Sequence, residues 1–232
     1  MSLAAVELIY RGVFQKTLAD RICRTIALTA RNAGGVGIVF SRYSDSPERN
    51  GIPAKRFAVI AGDEDELQAS MAMYQPSQVD VSIVLDDTLC KGIESWAWDG
   101  LHAIHSLVRE DGTLIVVSER SAVELLNNIH RRETPYSLAV AKGQASFSGL
   151  WVFNDDHSDL CVLGALAQAC PQILERDSLE KTVLDQWHDQ GRVESLRRSY
   201  GAVEMRLVKP GEGNAKELYR YNLLTMQEME PA

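Results

Sequence analysis

Short apolar runs alternate with segments of helical periodicity along most of the chain, and this alternation is the feature that most constrains its fold. The run VDVSIVLDD at 79–87 is apolar enough to be a strand buried on both faces. The segment KTLADRICRTIALTARNAG at 16–34 has an apolar stripe at 18, 22, 26 and 27 and ends at two glycines, which is typical of an amphipathic helix. With strands on either side of it, this helix predicts a β-α-β unit with parallel strands and a right-handed crossover.

The remaining elements follow from the same patterns. We predict strands at 4–10, 36–42, 55–61, 113–118, 136–141 and 149–153, and helices at 92–110, 120–132, 159–171 and 178–190, the last capped by Asp177 or Ser178. The predicted fold class is α/β, with a mainly parallel, Rossmann-like three-layer sheet. We predict a single domain over 1–190. Residues 191–232 are polar and weakly periodic, so we expect a C-terminal extension that packs on a partner or is partly loose.

The charge balance bears on partners and location. The 232 residues carry 24 Lys and Arg against 32 Asp and Glu, a net charge of −8. Too few scattered cations remain for binding a nucleic-acid backbone as the main task. No apolar run approaches the length of about 20 residues that spans a bilayer, and MSLAAVELIYRG lacks the regions of a signal peptide. We therefore predict a cytoplasmic protein with no nucleic-acid or membrane partner.

The cysteines and histidines give no metal-binding pattern. The four cysteines form no C-x-x-C pair, which favours reduced thiols in a buried setting. His102 and His105 have helical i, i+3 spacing, but two ligands do not make a metal site. We therefore expect no metal and no iron–sulfur cluster in this chain.

The loop YRGVFQKT at 10–17 follows the first predicted strand, where a dinucleotide-binding protein would carry G-x-G-x-x-G. Only Gly12 is a glycine, while Val13 and Phe14 are bulky. The following helix N-terminus still offers N–H groups to an anion, with Gln15 and Lys16 as candidate contacts. The alternative is a packed turn between strand and helix.

The stretch YSDSPERNGIPAKRFAVI at 43–60 concentrates positive charge in an acidic protein. Pro47, Gly51 and Pro53 constrain the backbone. The cations beside them suit a phosphate or carboxylate, and they are Arg42, Arg49, Lys55 and Arg56. The alternative is a surface turn whose arginines pair with Glu48 or with a partner chain.

Asp86 and Asp87 end the strand at 79–87. Two carboxylates at a strand end could hold Mg²⁺ or serve as acid and base. No phosphate-binding loop accompanies them, so we favour a simpler role, an Asp that caps the following helical turn.

Four segments together resemble a known family. YSDSPERNGIPAKRFAVIA matches the Tyr-x-x-x-x-Glu-Arg-x-Gly-x-Pro segment of the gamma subunit, or gamma domain, of 2-oxoacid:ferredoxin oxidoreductases, the pyruvate and 2-oxoglutarate synthases. VDVSIVLDDTLCKG is similar to its fourth strand and turn, REDGTLIVVSE to its late glycine and strand, and DLCVLGALAQACPQILERDSLEKTVLDQW to its closing helices. The resemblance runs from about 7 to 190. It departs at RGVFQK, where the family has Gly-x-Gly-Gly-Gln-Gly and only Gln15 fits.

The resemblance implies a subunit of a larger enzyme. Such enzymes oxidatively decarboxylate pyruvate or 2-oxoglutarate in a coenzyme A-dependent reaction, or run in reverse to fix CO₂. Thiamine diphosphate, Mg²⁺ and [4Fe–4S] clusters would be bound by alpha, beta and delta-type partner chains, and ferredoxin would be reached through those partners. The gamma-type domain would frame the coenzyme A site, with Arg49, Asn50, Gly51, Lys55 and Arg56 near the phosphates. Two alternatives stay open: a purely structural subunit of the same complex, and a stand-alone nucleotide- or coenzyme A-binding protein.

Overall fold

The computed structural model describes residues 2–43, 52–70, 75–94, 101–143 and 157–216. The strands are β1 (Ala4–Arg11), β2 (Val36–Tyr43), β3 (Pro53–Ala61), β4 (Val79–Val84), β5 (Ile93–Glu94), β6 (Leu101–His102), β7 (Val108–Val117), β8 (Tyr136–Ala141) and β9 (Val203–Val208). The helices are α1 (Gly12–Asn32), α2 (Glu64–Ser70), α3 (Ala122–Leu126), α4 (Ser158–Ala169), α5 (Arg176–Trp187) and α6 (Gln190–Gly201). A short 3₁₀ helix spans Asp87–Lys91.

Seven strands form one sheet in the order β2-β3-β1-β4-β7-β8-β9. The four central strands β1, β4, β7 and β8 are parallel neighbours. β2 runs in the same direction as β1, because both are antiparallel to the β3 that lies between them. β9 joins β8 in the antiparallel sense. The predicted mainly parallel α/β sheet is therefore confirmed, and among its described strands only β3 and β9 run in the reverse direction.

Apolar residues on both faces of the sheet produce three layers. On one face, alternate residues of β1, such as Val6 and Leu8, pack in a core with α1, α4, α5 and α6. On the other face, Ile9 and Val84 pack with α3 and with Leu89 of the 3₁₀ helix. The central strands are thus buried on both sides, which is the reason for their nearly continuous apolar runs.

A glycine accounts for an irregularity between β4 and β7. Val79 pairs with Val108 while Val81 pairs with Thr113, so the register shifts and β7 bulges between these two pairs. A Cβ at Gly112 would lie 2.8 Å from Val108 Cγ1 and 3.0 Å from the Asp80 carbonyl oxygen. The glycine that precedes the strand at 113 is therefore required by close backbone approach.

The prediction of a helix at 92–110 is wrong. Ile93–Glu94 and Leu101–His102 form a small antiparallel ladder instead, and Val108 already belongs to β7. Ile93 and Ile104 are both buried in the α3-side core. Their spacing would also place them on one face of a helix, so periodicity alone does not separate the two structures.

Two other predictions at the sequence level differ in length or position. The helix predicted at 120–132 is only five residues long, opened by a capping box between Ser121 and Glu124. The helix predicted at 178–190 begins at Arg176 with Glu175 at the cap position, not Asp177 or Ser178. The strand predicted at 149–153 lies outside the described residues.

The segment predicted as an extension contains regular structure. Its predicted start at 191 lies within α6, and β9 continues the main sheet beside β8. Val193 and Leu196 of α6 are buried in the same core as α1 and α4. Residues 190–208 are therefore part of the α/β unit. Residues 217–232 lie outside the described residues, and an extension there stays a prediction.

Candidate functional site

The carboxyl ends of the four parallel strands meet at one edge of the sheet, where open α/β sheets bind their ligands. β1 ends at Arg11, β4 at Val84, β7 at Val117 and β8 at Ala141. Polar side chains lie at or just beyond each of these ends: Arg11 itself, Asp86 and Asp87 after β4, Ser118 after β7 and Lys142 after β8. We call this line of strand ends the carboxyl edge.

Asp86 organises the first half of the carboxyl edge. Its carboxylate is fully buried and accepts a hydrogen bond from Arg11 Nε at 2.6 Å. The other oxygen accepts from the Thr88 backbone N–H at 2.9 Å and from Thr88 Oγ1 at 2.6 Å. Arg11 Nη2 also donates to Thr88 Oγ1 at 2.5 Å. The predicted cap is confirmed, and the carboxylate also joins the ends of β1 and β4.

Asp87 and Ser118 connect β4 to β7. Ser118 Oγ donates to Asp87 Oδ2 at 2.6 Å and accepts from the Arg120 backbone N–H at 3.0 Å. Arg120 Nε lies 3.7 Å from the same Asp87 oxygen, and about half of its side chain is exposed. The Arg120 guanidinium is therefore the more accessible cation of this half of the edge.

Lys142 extends the network from β8 to β9. Its Nζ donates to the Arg120 carbonyl oxygen at 2.9 Å and to Glu204 Oε2 at 3.2 Å. Glu204 Oε1 accepts from the Ala122 backbone N–H at 3.0 Å, at the first residue of α3. This backbone hydrogen bond, aided by Lys142, lowers the pKa of the Glu204 carboxyl. Glu204 was not among the predicted site residues, although the alternation in VEMRLV is typical of a strand.

The N-terminus of α1 lies at the end of β1. Gly12 adopts a φ of 39°, while Val13 and Phe14 are half exposed. Gln15 is buried and its Oε1 accepts from the Arg11 backbone N–H at 2.8 Å, whereas Lys16 is exposed. Of the two predicted anion contacts, Gln15 is therefore buried and uses its side-chain carbonyl oxygen to close the turn, whereas Lys16 lies at the surface.

Two of the predicted phosphate-binding cations lie near this edge but on opposite faces of the sheet. Lys55 and Arg56 are successive residues of β3, and the pairing of Pro53 with Arg11 brings the start of β3 beside the end of β1. Lys55 Nζ contacts Glu7 Oε1 at 2.6 Å, and Ser82 Oγ donates to the other oxygen of Glu7 at 2.8 Å.

Arg56 pairs with Asp20 of α1 on the opposite face, where Asp20 also binds Arg24 at 2.7 Å. Lys55 and Arg56 therefore do not converge on one point, and each has a carboxylate partner within the chain. Arg49, Asn50 and Gly51 lie outside the described residues, so the structure does not test their predicted place beside Lys55 and Arg56.

The described residues contain neither a metal-binding cluster nor a helix that could span a membrane. Across the described ranges, no group of three or more His, Cys, Asp or Glu side chains is arranged to hold a metal ion. His102 and His105 do not share a helix, in contrast to the prediction, and His105 Nε2 contacts the His130 carbonyl oxygen at 2.7 Å. None of the described helices is both long and apolar enough to cross a membrane.

Solved structures share this architecture. The pyruvate oxidoreductase subunit PORC of Thermotoga maritima superposes with a TM-score of 0.59 at 19% identity, covering 88% of this chain and 99% of that chain. The gamma subunit of a keto/oxoacid ferredoxin oxidoreductase from Geobacter sulfurreducens superposes with a TM-score of 0.50 at 16% identity, covering 87% and 94% of the two chains. At these identities the matches establish a common fold.

Sequence comparison identifies a related protein of the same kind. The chain is 30% identical over 138 residues to the common gamma subunit of pyruvate/ketoisovalerate oxidoreductases of Pyrococcus abyssi. The alignment covers 60% of this chain and 64% of the relative. No protein-family model matches. The resemblance inferred from the sequence motifs is confirmed: this chain has the fold of the gamma subunits of oxoacid:ferredoxin oxidoreductases and is similar in sequence to one of them.

Proposed function

We propose that this chain is a gamma subunit of a multi-subunit 2-oxoacid:ferredoxin oxidoreductase. The complex would carry out coenzyme A-dependent oxidative decarboxylation of pyruvate or 2-oxoglutarate, or the reverse reductive carboxylation. The observation that carries the proposal is agreement between sequence and fold. A gamma subunit is 30% identical over 138 residues, and a pyruvate oxidoreductase subunit covers 88% of the chain in space.

In this proposal the cofactors of the reaction belong to partner chains. Alpha, beta and delta-type subunits would bind thiamine diphosphate with Mg²⁺ and the [4Fe–4S] clusters, and they would pass electrons to ferredoxin. The gamma subunit would supply a rigid face to the catalytic chains and would act as a non-thiamine, non-cluster part of the enzyme. The carboxyl edge suits this task, because ion pairs and hydrogen bonds cross-link β1, β4, β7, β8 and β9 at their ends.

We further propose that the start of β3 borders the approach of the coenzyme A phosphates. The support is its position beside the end of β1 and the N-terminus of α1, where Lys16 is exposed. Lys55 and Arg56 already hold Glu7 and Asp20 on opposite faces. They would therefore position the segment that precedes β3, and Arg49 with Asn50 and Gly51 would make the direct phosphate contacts. Gln15 and Lys16 would form a second anion-binding loop nearby.

The proposal is tested by the activity that purifies with the chain. An affinity-tagged copy is expressed in the source organism and isolated without added reductant, and reduction of a viologen dye is followed with pyruvate or 2-oxoglutarate. We expect 2-oxoacid-dependent dye reduction that requires coenzyme A and that elutes with the tagged chain.

One outcome would contradict the proposal as a whole, and another would contradict only the coenzyme A role. If the chain purifies alone and binds coenzyme A or a nucleotide by calorimetry, it is a stand-alone binding protein. If it purifies with an active complex whose apparent affinity for coenzyme A is unaffected by substitutions at Lys16 and Arg49, the structural-subunit alternative is favoured.

A further inference from the structure

β9 is a regular strand whose outer edge has no partner strand among the described residues. It lies at the end of the sheet order, and all six of its residues pair with β8 without a register shift. Natural proteins usually protect such edges with charged side chains, above all lysine, with proline, with β-bulges or with very short strands. VEMRLV at 203–208 has no proline, lysine or bulge, and its two charged residues, Glu204 and Arg206, have opposite signs. The edge is thus open to a further antiparallel strand.

The same strand exposes apolar side chains on one face. Val203, Met205 and Leu207 alternate onto the face covered elsewhere by α4 and α6, and Val203 contacts that core. Met205 is 46% exposed and Leu207 is 62% exposed. The opposite face carries Glu204, Arg206 and the buried Val208. An added strand would therefore meet an apolar face on one side and charged side chains on the other.

The order of these residues fits a second copy of β9. Directly opposite residues of an antiparallel pair lie on the same face of the sheet. In a pair of identical strands, opposite residues must therefore differ by an even number of positions, so the two-fold axis passes beside a residue and not between two residues. If the axis passes beside Met205, Val203 lies opposite Leu207 and Glu204 lies opposite Arg206. Each of these pairs occurs twice, once on either side of the axis. Centring on Arg206 or on Glu204 would instead place like charges opposite each other.

We propose that β9 pairs with β9 of a second copy of this chain, antiparallel and with Met205 opposite Met205, so that the two sheets become continuous. The apolar side chains would cover one another on one face, and two Glu204–Arg206 pairs would form on the other. This inference rests on the edge strand alone and does not depend on the proposed function.

The existing partners of these charged residues leave room for the added pair. Glu204 contacts Lys142 Nζ at 3.2 Å, and Arg206 Nη2 lies 3.5 Å from Glu212 Oε1. Both side chains are still more than one-third exposed in the single chain, at 37% and 36%. A carboxylate accepts about four hydrogen bonds and a guanidinium donates five, so neither group is saturated by these contacts.

Disulfide trapping tests the register. Opposite Cα atoms in an antiparallel pair lie about 4.5–5.5 Å apart, within the range that a disulfide spans. Met205→Cys should therefore form a covalent homodimer on mild oxidation of the full chain, seen by non-reducing electrophoresis. Both this variant and its control carry Cys161→Ser, since Cys161 is the one native cysteine that is not fully buried.

Leu207→Cys is the matched control on the same exposed face. In the proposed register its counterpart lies four residues along the partner strand, about 13 Å away, so no self-disulfide should form. A mixture of Leu207→Cys with Val203→Cys should form one, because these two positions are opposite. A Leu207→Cys homodimer, or a monomeric Met205→Cys after oxidation, would overturn the register.

Solution mass supplies a second readout that needs no cysteine. Arg206→Glu places two carboxylates opposite each other on each side of the axis, and the dimer dissociation constant from sedimentation should rise about tenfold. Circular dichroism checks that this exposed-site variant is folded. Two results together would overturn the second copy as the occupant. The wild-type chain would be monomeric in isolation, and the Met205→Cys variant would form a disulfide only with a different chain of its complex.

Discussion

At the scale of single residues, Asp86 is the side chain on which the carboxyl edge depends most. Its buried carboxylate accepts from Arg11 and caps the turn at Thr88. Asp86→Ala removes the cap and the carboxylate partner of Arg11 Nε together. We expect the free energy of unfolding, measured by urea titration, to fall by about 2–4 kcal/mol.

Asp86→Asn is the matched variant, because asparagine also caps helical turns but carries no charge. It should cost about half as much as the alanine variant, and the difference between the two reports the cap. Equal stability of wild type and Asp86→Ala would show that the contacts of Asp86 contribute nothing to the fold.

His105 predicts a pH dependence of stability. It is buried, contacts the His130 carbonyl oxygen and lies with its ring 5.3 Å from that of Tyr136. Burial lowers the pKa of His105 below its ordinary value of 6.5. The unfolded chain therefore binds the proton first, so stability is complete above pH 6.5 and decreases as the pH falls towards the lower pKa of the folded state.

Urea titrations between pH 7.5 and 5.5 measure this effect. His105→Gln should reduce the slope, which for one group is at most about 1.4 kcal/mol per pH unit. A smaller slope should persist, because burial also lowers the pKa of His130. Identical slopes for wild type and His105→Gln would exclude His105 as the source.

Arg49 is the residue on which the proposed coenzyme A contact rests. Loss of one charge-assisted hydrogen bond of about 1.5–3 kcal/mol should raise the apparent KM for coenzyme A about 10- to 150-fold in Arg49→Ala. Cluster reduction driven by the 2-oxoacid without coenzyme A should be nearly unchanged. Equal loss of both activities in an intact complex would instead indicate a structural contact, and loss of the complex would indicate pairing with a partner carboxylate.

At the scale of secondary structure, the sequence predicted the buried strands and the helices α1, α4 and α5 well, and the short or edge elements poorly. β1, β3, β4 and β8 are apolar runs whose burial on both faces leaves a clear pattern. β9 was missed although VEMRLV alternates apolar and charged residues, because six such residues give only a short signal within a polar segment. The prediction of a helix at 92–110 failed because Ile93, in a small strand pair, and Ile104, in the turn before β7, reach the core at a spacing that would also suit a helix.

The candidate site was predictable only in part, for a related reason. Asp86 follows a strong strand and precedes a turn, so its capping role could be predicted from local sequence. The pairs Lys55–Glu7 and Arg56–Asp20 join residues far apart in the chain. Their existence depends on β3 lying next to β1, a register that no local pattern in the sequence specifies.

Packing between α4 and α6 depends on Gly164, which lies in the closing-helix segment that carried part of the family resemblance. A Cβ at this residue would lie 1.7 Å from Ser199 Oγ and 2.9 Å from Ser199 Cβ. Ser199 is itself buried and donates to the Leu196 carbonyl oxygen at 2.6 Å. Gly164→Ala should therefore force the helices apart and lower the free energy of unfolding by about 1–3 kcal/mol.

A second substitution tests the origin of that cost. Ser199→Gly removes the two nearest atoms that the new methyl group would meet and leaves the Leu196 carbonyl oxygen at 3.3 Å, so the double variant should be more stable than the two single effects predict when added. Gly201→Ala is the control, because a Cβ there would meet nothing within 4 Å. A Gly164→Ala protein as stable as wild type would contradict the close contact between α4 and α6.

At the scale of the whole molecule, the chain combines a rigid cross-linked edge with surfaces that suit assembly. The ion pairs and hydrogen bonds of the carboxyl edge join the ends of five strands, while Val13 and Phe14 expose apolar surface beside them. A rigid edge with an exposed apolar margin is what a subunit would present to larger catalytic chains. The fold and the sequence similarity to gamma subunits favour the same interpretation.

Native mass spectrometry of the tagged chain, isolated from its source organism, tests the central claim most directly. We expect assemblies in which the chain is bound to alpha, beta and delta-type subunits, with added masses of thiamine diphosphate and [4Fe–4S] clusters on those partners. A chain recovered only as a monomer or as a homo-oligomer, with no cofactor-bearing partner under conditions that preserve other complexes of the cell, would contradict its assignment as a gamma subunit.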